Sequence, residues 1–543
     1  MKEYGALSDG KTDDSKAFQK AIDAAIQSGT KATVFVPSGH YMLRTPMGRG
    51  MIQITKATGL TLEGEKGTLL ISSDPTKDMI NLDHSQEITV RNFELDRKPF
   101  VFTQGIVNNI NALLRTVDVT IDKDYDEPDA KFLSGLKAFM VFTDPVLYRW
   151  DHSRWWPDII KRERIAPMKW RFTLSNAPLV SYIDKPFLIW NNVYGGWGVV
   201  ANRSKNCYVE NIKYYGGGAN GGIGIWGCDG AIKFKNFIVG IPDGSNRLLA
   251  AAGGSMEFEN RGTVILDRCD FSKIDDDGFN MGSRFAKVLK QINKRCIVVE
   301  WKNIPYSIGD TIAVWDWFKK KERSQAKLTG VIMNKDSTIT LTFDRDVKVL
   351  HPFGSDGLPL PSDFKREGRF EEVDGVDRIV DFQTAGRSII RNCRFQSMRA
   401  RCILSKTSNS IIEGNTFYNT HMAAILVGPE FYWQEGPAVH NLIIRNNRFL
   451  NIDGTSINIG CFASDSSYDN KDILIENNVF ENYGAKGGVG ISGEQGTAII
   501  IRNSDRVVLK ANTFLPSYLA PKGAKPVINE RSKNVKYENE KGM

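Results

Sequence analysis

Residues 273–280 read KIDDDGFN, with Asp275, Asp276 and Asp277 in a row before Gly278, Phe279 and Asn280. Three adjacent carboxylates repel one another, and folding alone does not require them. Strand side chains alternate, so Asp275 and Asp277 should share one face and Asp276 the other. At the corner that Gly278 suggests, neighbouring carboxylates could both project into a groove. Repulsion then raises at least one pKa, which lets one site hold an acid and a base together near neutral pH. A solvated acidic turn or a calcium site fits the same residues equally well, because Asp is common at corners.

The elements that must position these residues are written as a repeat. Short β-branched runs close on Asn or Cys, one residue, then Phe: ILDRCDF (265–271), IIRNCRF (389–395), IIEGNTF (411–417), LIIRNNRF (442–449), ILIENNVF (473–480) and VVLKANTF (507–514). From Phe395 the phenylalanines follow at intervals of 22, 32, 31 and 34 residues. A period of that length built from strands and turns indicates a solenoid, because one coil cannot bury its own apolar face while stacked coils can. Asn at a repeated corner can form an amide ladder and tolerates left-handed backbone. The leucine-rich LxxLxL pattern is absent, and the reading is all-β: a right-handed parallel β-helix.

The start agrees. YGALSDGKTDDSKAFQKAIDAAIQSGTKATVFVPSGHYML resembles the N-terminal cap of pectate-lyase-like β-helices, with an amphipathic helix over about Asp14–Ile26 and TVFVPSGHYML as first strand. Asp13, Asp14 and Ser15 stand where capping side chains are favoured. Two stretches break the rhythm. The expected order is cap and first coils at 1–107, a β-rich insertion at 108–187, central coils at 188–283, a second barrel-like insertion at 284–375, and C-terminal coils at 376–543. The second insertion begins directly after the triple Asp, and inserted modules commonly build cleft walls.

Composition bounds the rest. The net charge of +8 on 543 residues is modest and describes a solvated surface better than a polyanion binder. Seven Cys without CxxC spacing argue against a disulfide framework or structural zinc. There is no basic stripe interleaved with aromatics for nucleic acid, no run of 18 apolar residues for a membrane span, and no P-loop, Rossmann fingerprint or nucleophile elbow. No signal peptide is present, yet the chain opens almost directly on a structural motif, as after removal of a leader; a periplasmic or secreted location is expected.

From about residue 96 the chain resembles glycoside hydrolase family 110, the exo-acting α-1,3-galactosidases of blood-group-B and linear α-galactose type. The stretches that carry this are FTQGIV (102–107), ENRGTVILDRCDF with DDDGFN (259–280), MRARCILSK (398–406) and AAILVGPEFYWQEGPAVHNLIIRNNRF (423–449), in the family's order. The resemblance implies a β-helix with barrel insertions and inverting hydrolysis by carboxylates, with no metal and no cofactor. It matches the paired catalytic Asp to Asp276 and Asp277, with Asn280 following. The chain also departs from the pattern. Where the family has a third Asp, in a segment running Asp-Gly-x-His, this sequence has Gly253 and then Met256, and the later His-Gly is Met281-Gly282. The nearest replacements are Glu257 and Glu259, both of the alternation parity of position 253.

Inverting hydrolysis needs one carboxylic acid to protonate the leaving oxygen and one carboxylate to activate water, about 6.5–9.5 Å apart. The sequence therefore predicts Asp276 and Asp277 as the base side, Glu257 one coil earlier as the acid, and Asp275 tuning them within the substrate site. The triple Asp acting alone, or a chain with a changed substrate or no activity, stays open. Trp433 and Glu435 would stack on and grip galactose, and Arg399 and Arg401, on one face by alternation, would reach the site or form a solvated pair. Trp150, Trp155 and Trp156 with Arg149, His152 and Arg154 would form an outer wall or a structural cluster. The expected partner is an oligo- or polysaccharide containing α-1,3-linked galactose. A sulfated galactan such as carrageenan is a minority reading that the basic residues suggest. A homodimer is left open. The alternatives are a polygalacturonase-type hydrolase, whose Gly-His-Gly and Arg-x-Lys signatures are absent, a β-eliminating lyase, and a non-catalytic glycan-binding β-helix.

Overall fold

A computed structural model describes residues 1–29, 31–144, 149–150, 157–191, 196–350, 376–460, 468–485, 495–518 and 520–543. The chain is a right-handed parallel β-helix with three strand positions per coil. Strands Ser410–Glu413, Thr416–Thr420 and Ile425–Val427 make one coil, and His440–Arg445, Arg448–Ile452 and Ile457–Ile459 make the next. Coils pair parallel and in register, Ile412 on Ile444, Phe417 on Phe449 and Ile425 on Ile457. The first two positions merge into one bent sheet of 21 strands, and the third forms a separate narrow sheet.

The repeat letters have the roles their chemistry suggests. Phe271, Phe395, Phe417, Phe449, Phe480 and Phe514 are buried and stack with ring centroids 4.8–5.4 Å apart, close to the spacing of paired strands. Asn415, Asn447, Asn478 and Asn512 form a buried ladder in which each Nδ2 donates to the next Oδ1 at 3.0 Å. These amides also donate to the carbonyls of Ile390, Ile412, Ile444 and Ile475, which the corner leaves open.

Helix Ser15–Gln27 caps the first coils, burying Phe18 and Ile22, with Phe18 edge-on to Tyr41 at 5.3 Å. Asp14 at the N-cap makes no capping bond and accepts the backbone N–H of Leu7 at 2.8 Å, while Asp13 accepts the N–H of Ser15, the helix's first residue, at 3.1 Å. The first insertion is a seven-stranded antiparallel sheet running from Phe102–Asn111 to Pro186–Asn191. Its buried face takes in Leu248 and Leu249 from the coil before the triple Asp. The second is a closed six-stranded barrel from Ala286–Asn293 to Arg378–Asp381, entered from strand Phe279–Arg284. The side chains of Arg149, Trp150, His152, Arg154, Trp155 and Trp156 lie outside the described residues. Among the described residues no helix is long and apolar enough to cross a membrane.

Candidate active site

The triple Asp occupies the corner between strands Asp270–Ser272 and Phe279–Arg284. Lys273 takes left-handed backbone (φ 54°) and turns the chain out of the first strand. Asp275 donates its N–H to the Ala251 carbonyl of the preceding coil, and Gly278 donates to the Arg401 carbonyl of the following one. The corner is thus fixed from both sides. A Cβ on Gly254 would lie 2.4 Å from the Asp277 carbonyl, so only glycine lets that corner stack so closely.

Alternation holds across the three acids. Asp275 and Asp277 are buried, each against an arginine of the next coil, while Asp276 is partly open to solvent. Arg399 Nε donates to the Asp275 carbonyl at 2.7 Å and to its Oδ1 at 3.1 Å. Arg401 forks Asp277, Nε to Oδ1 at 2.7 Å and Nη2 to Oδ2 at 2.8 Å, and its own N–H donates to Oδ1 at 3.0 Å. Its remaining Nη1 donates to Glu430 Oε1 at 3.1 Å.

These contacts divide the carboxyls electrically. Loss of solvent and the charge of Asp277 push Asp276 up to about 7, against the pull of Arg399 and Arg401. Burial acts to raise Asp277 too, but the charge and hydrogen bonds of Arg401 outweigh it and hold that carboxyl below the usual range. Asp275 is pushed up to about 6 by burial, opposed by Arg399 and the indole of Trp190 from the first insertion. Near neutrality the corner therefore offers one carboxyl that exchanges its proton beside one that stays ionised.

A second network adjoins the first. Buried Lys406 donates to Asn280 Oδ1 at 2.6 Å and Glu435 Oε2 at 2.8 Å, and Asn280 Nδ2 donates to the same Glu435 oxygen at 3.1 Å. Glu435 and Glu430 exchange backbone hydrogen bonds across the loop that follows strand Ile425–Val427. Between them Phe431 packs on Phe285, Trp315 and Trp317, so the barrel holds this loop in place. Burial raises the Glu430 pKa, with Arg401 and Lys406 opposing. Trp433 stands at the loop's tip, 44% exposed and edge-on to Tyr432.

The corner thus brings together Asp275, Asp276, Asp277, Asn280, Glu435, Arg399 and Arg401. Asp275 cannot meet a substrate directly, however, because it is fully buried beneath Arg399. Glu257 is a correction. It sits in register with Ile225 and Met281, both core residues, and so points into the bore, away from the row of Asn280. There it is fully buried, accepts from Ser388 Oγ at 3.3 Å, and is pushed by burial up to about 8. Side-chain alternation does not run unbroken from position 253 through Glu259, for two reasons. Gly253 precedes the strand Ser255–Phe258, and left-handed Glu259 (φ 56°) breaks alternation after it. Glu259 instead pairs with Arg284 through two 2.8 Å bonds. The space beside Gly253 belongs to Asn220, whose Oδ1 lies 2.2 Å from where a Cβ would stand.

Sequence reasoning missed Lys406, Glu430 and Trp190. Lys406 was readable: Leu404 stacks on Asn280, and two residues further on the same face is the lysine that closes MRARCILSK. Glu430 needed the hairpin of its loop, and Trp190 needed the packing of an insertion against a distant corner. Neither leaves a local signal.

Fold and corner together define a parallel β-helix with a carboxylate pair flanked by two inserted β modules. Known proteins agree in part. Residues 1–124 match the family model "Rhamnogalacturonase A/epimerase, pectate lyase-like", and 375–514 match "Right handed beta helix region". Alpha-1,3-galactosidase A of Shewanella woodyi is 27% identical over 402 residues, 70% of this chain and 61% of that protein. The enzyme of the same name from Bacteroides fragilis is 26% identical over 72% of this chain and 63% of its own length. Alpha-1,3-galactosidase B of Bacteroides thetaiotaomicron is 23% identical over 85% and 77%. The chain therefore spans about three-fifths of the length of the first two relatives. Among solved structures, the Azotobacter vinelandii mannuronan C-5 epimerase AlgE4 A-module is similar over 99% of this chain and 96% of its own at a TM-score of 0.42 and 10% identity.

Proposed function

We propose that this chain is a glycoside hydrolase that removes terminal α-1,3-linked galactose from a glycan with inversion at the anomeric carbon. The observation that carries the reading is the corner itself, where Asp276 is partly open to solvent beside an Asp277 forked by Arg401, an arrangement that pushes the first carboxyl up and holds the second down. The distant likeness to α-1,3-galactosidases supports it. Asp276, partly open to solvent, is the proton donor to the leaving oxygen. Asp277 keeps acceptor capacity on Oδ2, which takes only Arg401 Nη2 among the described residues, and would orient the attacking water. Arg401 and Arg399 hold the pair apart in charge. Glu435, fixed by Lys406 and Asn280, and Trp433 would grip the sugar.

This reading revises the roles expected from sequence, since acid and base both come from the triple Asp. Asp276→Asn should lower kcat by about a hundred- to ten-thousandfold. Wild-type kcat should fall as pH rises through about 7, where Asp276 loses its proton. Galactose released first as the β-anomer, followed by proton NMR, checks inversion; α-anomer first overturns it. A second reading is favoured by the Gly253 position, filled by Asn220, and by Glu257 in the bore: a galactoside-binding β-helix without turnover. Binding of α-1,3-galactosyl oligosaccharides with no release of galactose would establish it.

A further inference from the structure

The outer face of the narrow sheet continues past the corner. Asn202, Trp226, Phe258 and Gly282 stand in register on successive coils, and Lys406 packs against Gly282, where a Cβ would meet it at 3.0 Å. Lys406 Nζ lies 5.8 Å from the Phe258 ring. Phe258, Gly282 and Lys406 are buried, and beyond them, at the far end of the same strands where Asn202 and Trp226 come to the surface, lies a separate pocket of about 440 Å³. Asp83, Asn202, Arg203, Trp226, Glu259 and Arg284 are among its lining residues.

The pocket is built rather than incidental. The Trp226 indole folds back along its own strand, which only Gly224 allows, since a Cβ there would lie 2.3 Å from the ring. Trp197 meets the indole at 4.8 Å, nearly perpendicular, and the Arg49 guanidinium lies 5.1 Å from its centroid. Arg284 is locked by Glu259 through Nε and Nη2, and among the described residues its Nη1 has no partner. Asp83 holds Asn202 and His84 through Oδ1 alone, which leaves Oδ2 to accept. Fixed donors and acceptors around an indole wall suit the hydroxyls and carbon face of a sugar ring. Trp226 lies two strands from Asn280 and level with Gly282, two residues further along, so about 12 Å away at the usual strand and residue spacings. One sugar ring cannot span that gap, but a trisaccharide can.

We infer that this pocket is a distal sugar subsite, so that the substrate is an oligosaccharide chain that crosses above this buried row, with its terminal galactose at the triple Asp. The inference rests on the glycosidase reading for the corner alone. The test is calorimetric binding of neutral α-1,3-galactosyl di- and tetrasaccharides to the Asp276→Asn protein, with turnover of the same sugars by wild type followed separately. The tetrasaccharide should bind about tenfold tighter than the disaccharide. Adding Trp226→Ala or, as a shape-preserving alternative, Asp83→Asn should bring that ratio close to one. An unchanged ratio in the folded Asp83→Asn protein, no length preference, or no binding of either sugar overturns the subsite. Length-dependent binding without any galactose release would sink the hydrolase reading and leave the subsite standing; galactose release without length dependence would do the reverse.

Discussion

The C-terminal coils and the coils around the triple Asp share one winding rule and differ in what fills it. From Phe395 to Phe514 the interior is Phe on Phe and Asn on Asn, each satisfied by its copy one coil along. Around Asp276 the neighbouring corners are YGGGANGG and AAAGG, the bore holds a carboxyl at Glu257, and charged pairs replace repeated contacts. Repetition makes a rigid frame from local choices. The site uses that frame to hold groups that destabilise it, and it needs partners from far along the chain. Asp277 and Arg401 are 124 residues apart because the barrel intervenes, though they sit on adjacent coils.

The sharpest way to break the contrast is Arg401→Met. It would leave Asp277 and Glu430 buried without their shared cation, a loss of roughly 3–5 kcal/mol. The Asp277 pKa should rise and the proposed glycosidase activity should vanish. Thermal unfolding with and without 1 M salt measures the first effect. A fall in stability below about 1 kcal/mol would mean that solvent reaches the pair. In the regular region Phe449→Ala removes one ring from a continuous stack and should cost about 3 kcal/mol through the cavity it leaves. The proposed galactose binding should persist in whatever fraction remains folded, because Phe449 touches none of the site. A loss of affinity in the folded fraction would show that the stack transmits strain to the corner.

The same contrast explains what was legible in the sequence. The NxF repeat announces itself every coil, so fold, Phe stack and Asn ladder follow from pattern. The triple Asp was also visible, because adjacent carboxylates have no structural excuse. Arg399 and Arg401 were visible by alternation. The partner of the acids was misjudged because alternation was carried through positions that break it. Gly253 lies before its strand and Glu259 is left-handed, so Glu257 turned inward and Glu259 went to Arg284. Lys406 was readable only once coils were stacked in register across the barrel. The insertion edges were hard for a related reason: Phe102–Asn111 reads like another coil strand but pairs antiparallel with Thr116–Ile121.

Glu257 gives a test at intermediate size. Its folded pKa of about 8 lies above the ordinary glutamate value, so the native state holds a proton that the unfolded chain releases. Stability should therefore decline as pH rises from about 4.5 to about 8 and then level. Glu257→Gln keeps the shape and the Ser388 contact while removing the ionisable group. The variant should match wild type near pH 5 and become the more stable of the two by pH 8.5. Melting temperatures across that range decide it: parallel profiles would mean that water enters the bore beside Oε1.

The smallest effect concerns the solvent-side corner, where the reason for Asn can be separated from its habit of recurring. Asn392, Gly414, Asn446, Asn477, Ala511 and Asn539 occupy equivalent left-handed positions, with φ between 53° and 64°. Asn477 Nδ2 donates to Asn446 Oδ1 at 2.7 Å, but the pair is exposed. Two causes compete: tolerance of left-handed backbone, and the amide ladder. If backbone tolerance dominates, Asn477→Gly should be neutral within about 0.5 kcal/mol and Asn477→Ala should cost about 1 kcal/mol. If the ladder dominates, both should lose the same fraction of a kcal/mol. The buried rung is the control, because Asn478→Gly strands the Ile444 carbonyl and the Asn447 N–H and should cost more than either. Ala511 already stands at φ 54° in the same column, which argues that the solvent-side corner tolerates loss of the amide and that the inner ladder, one residue further on, is what sets the stacking.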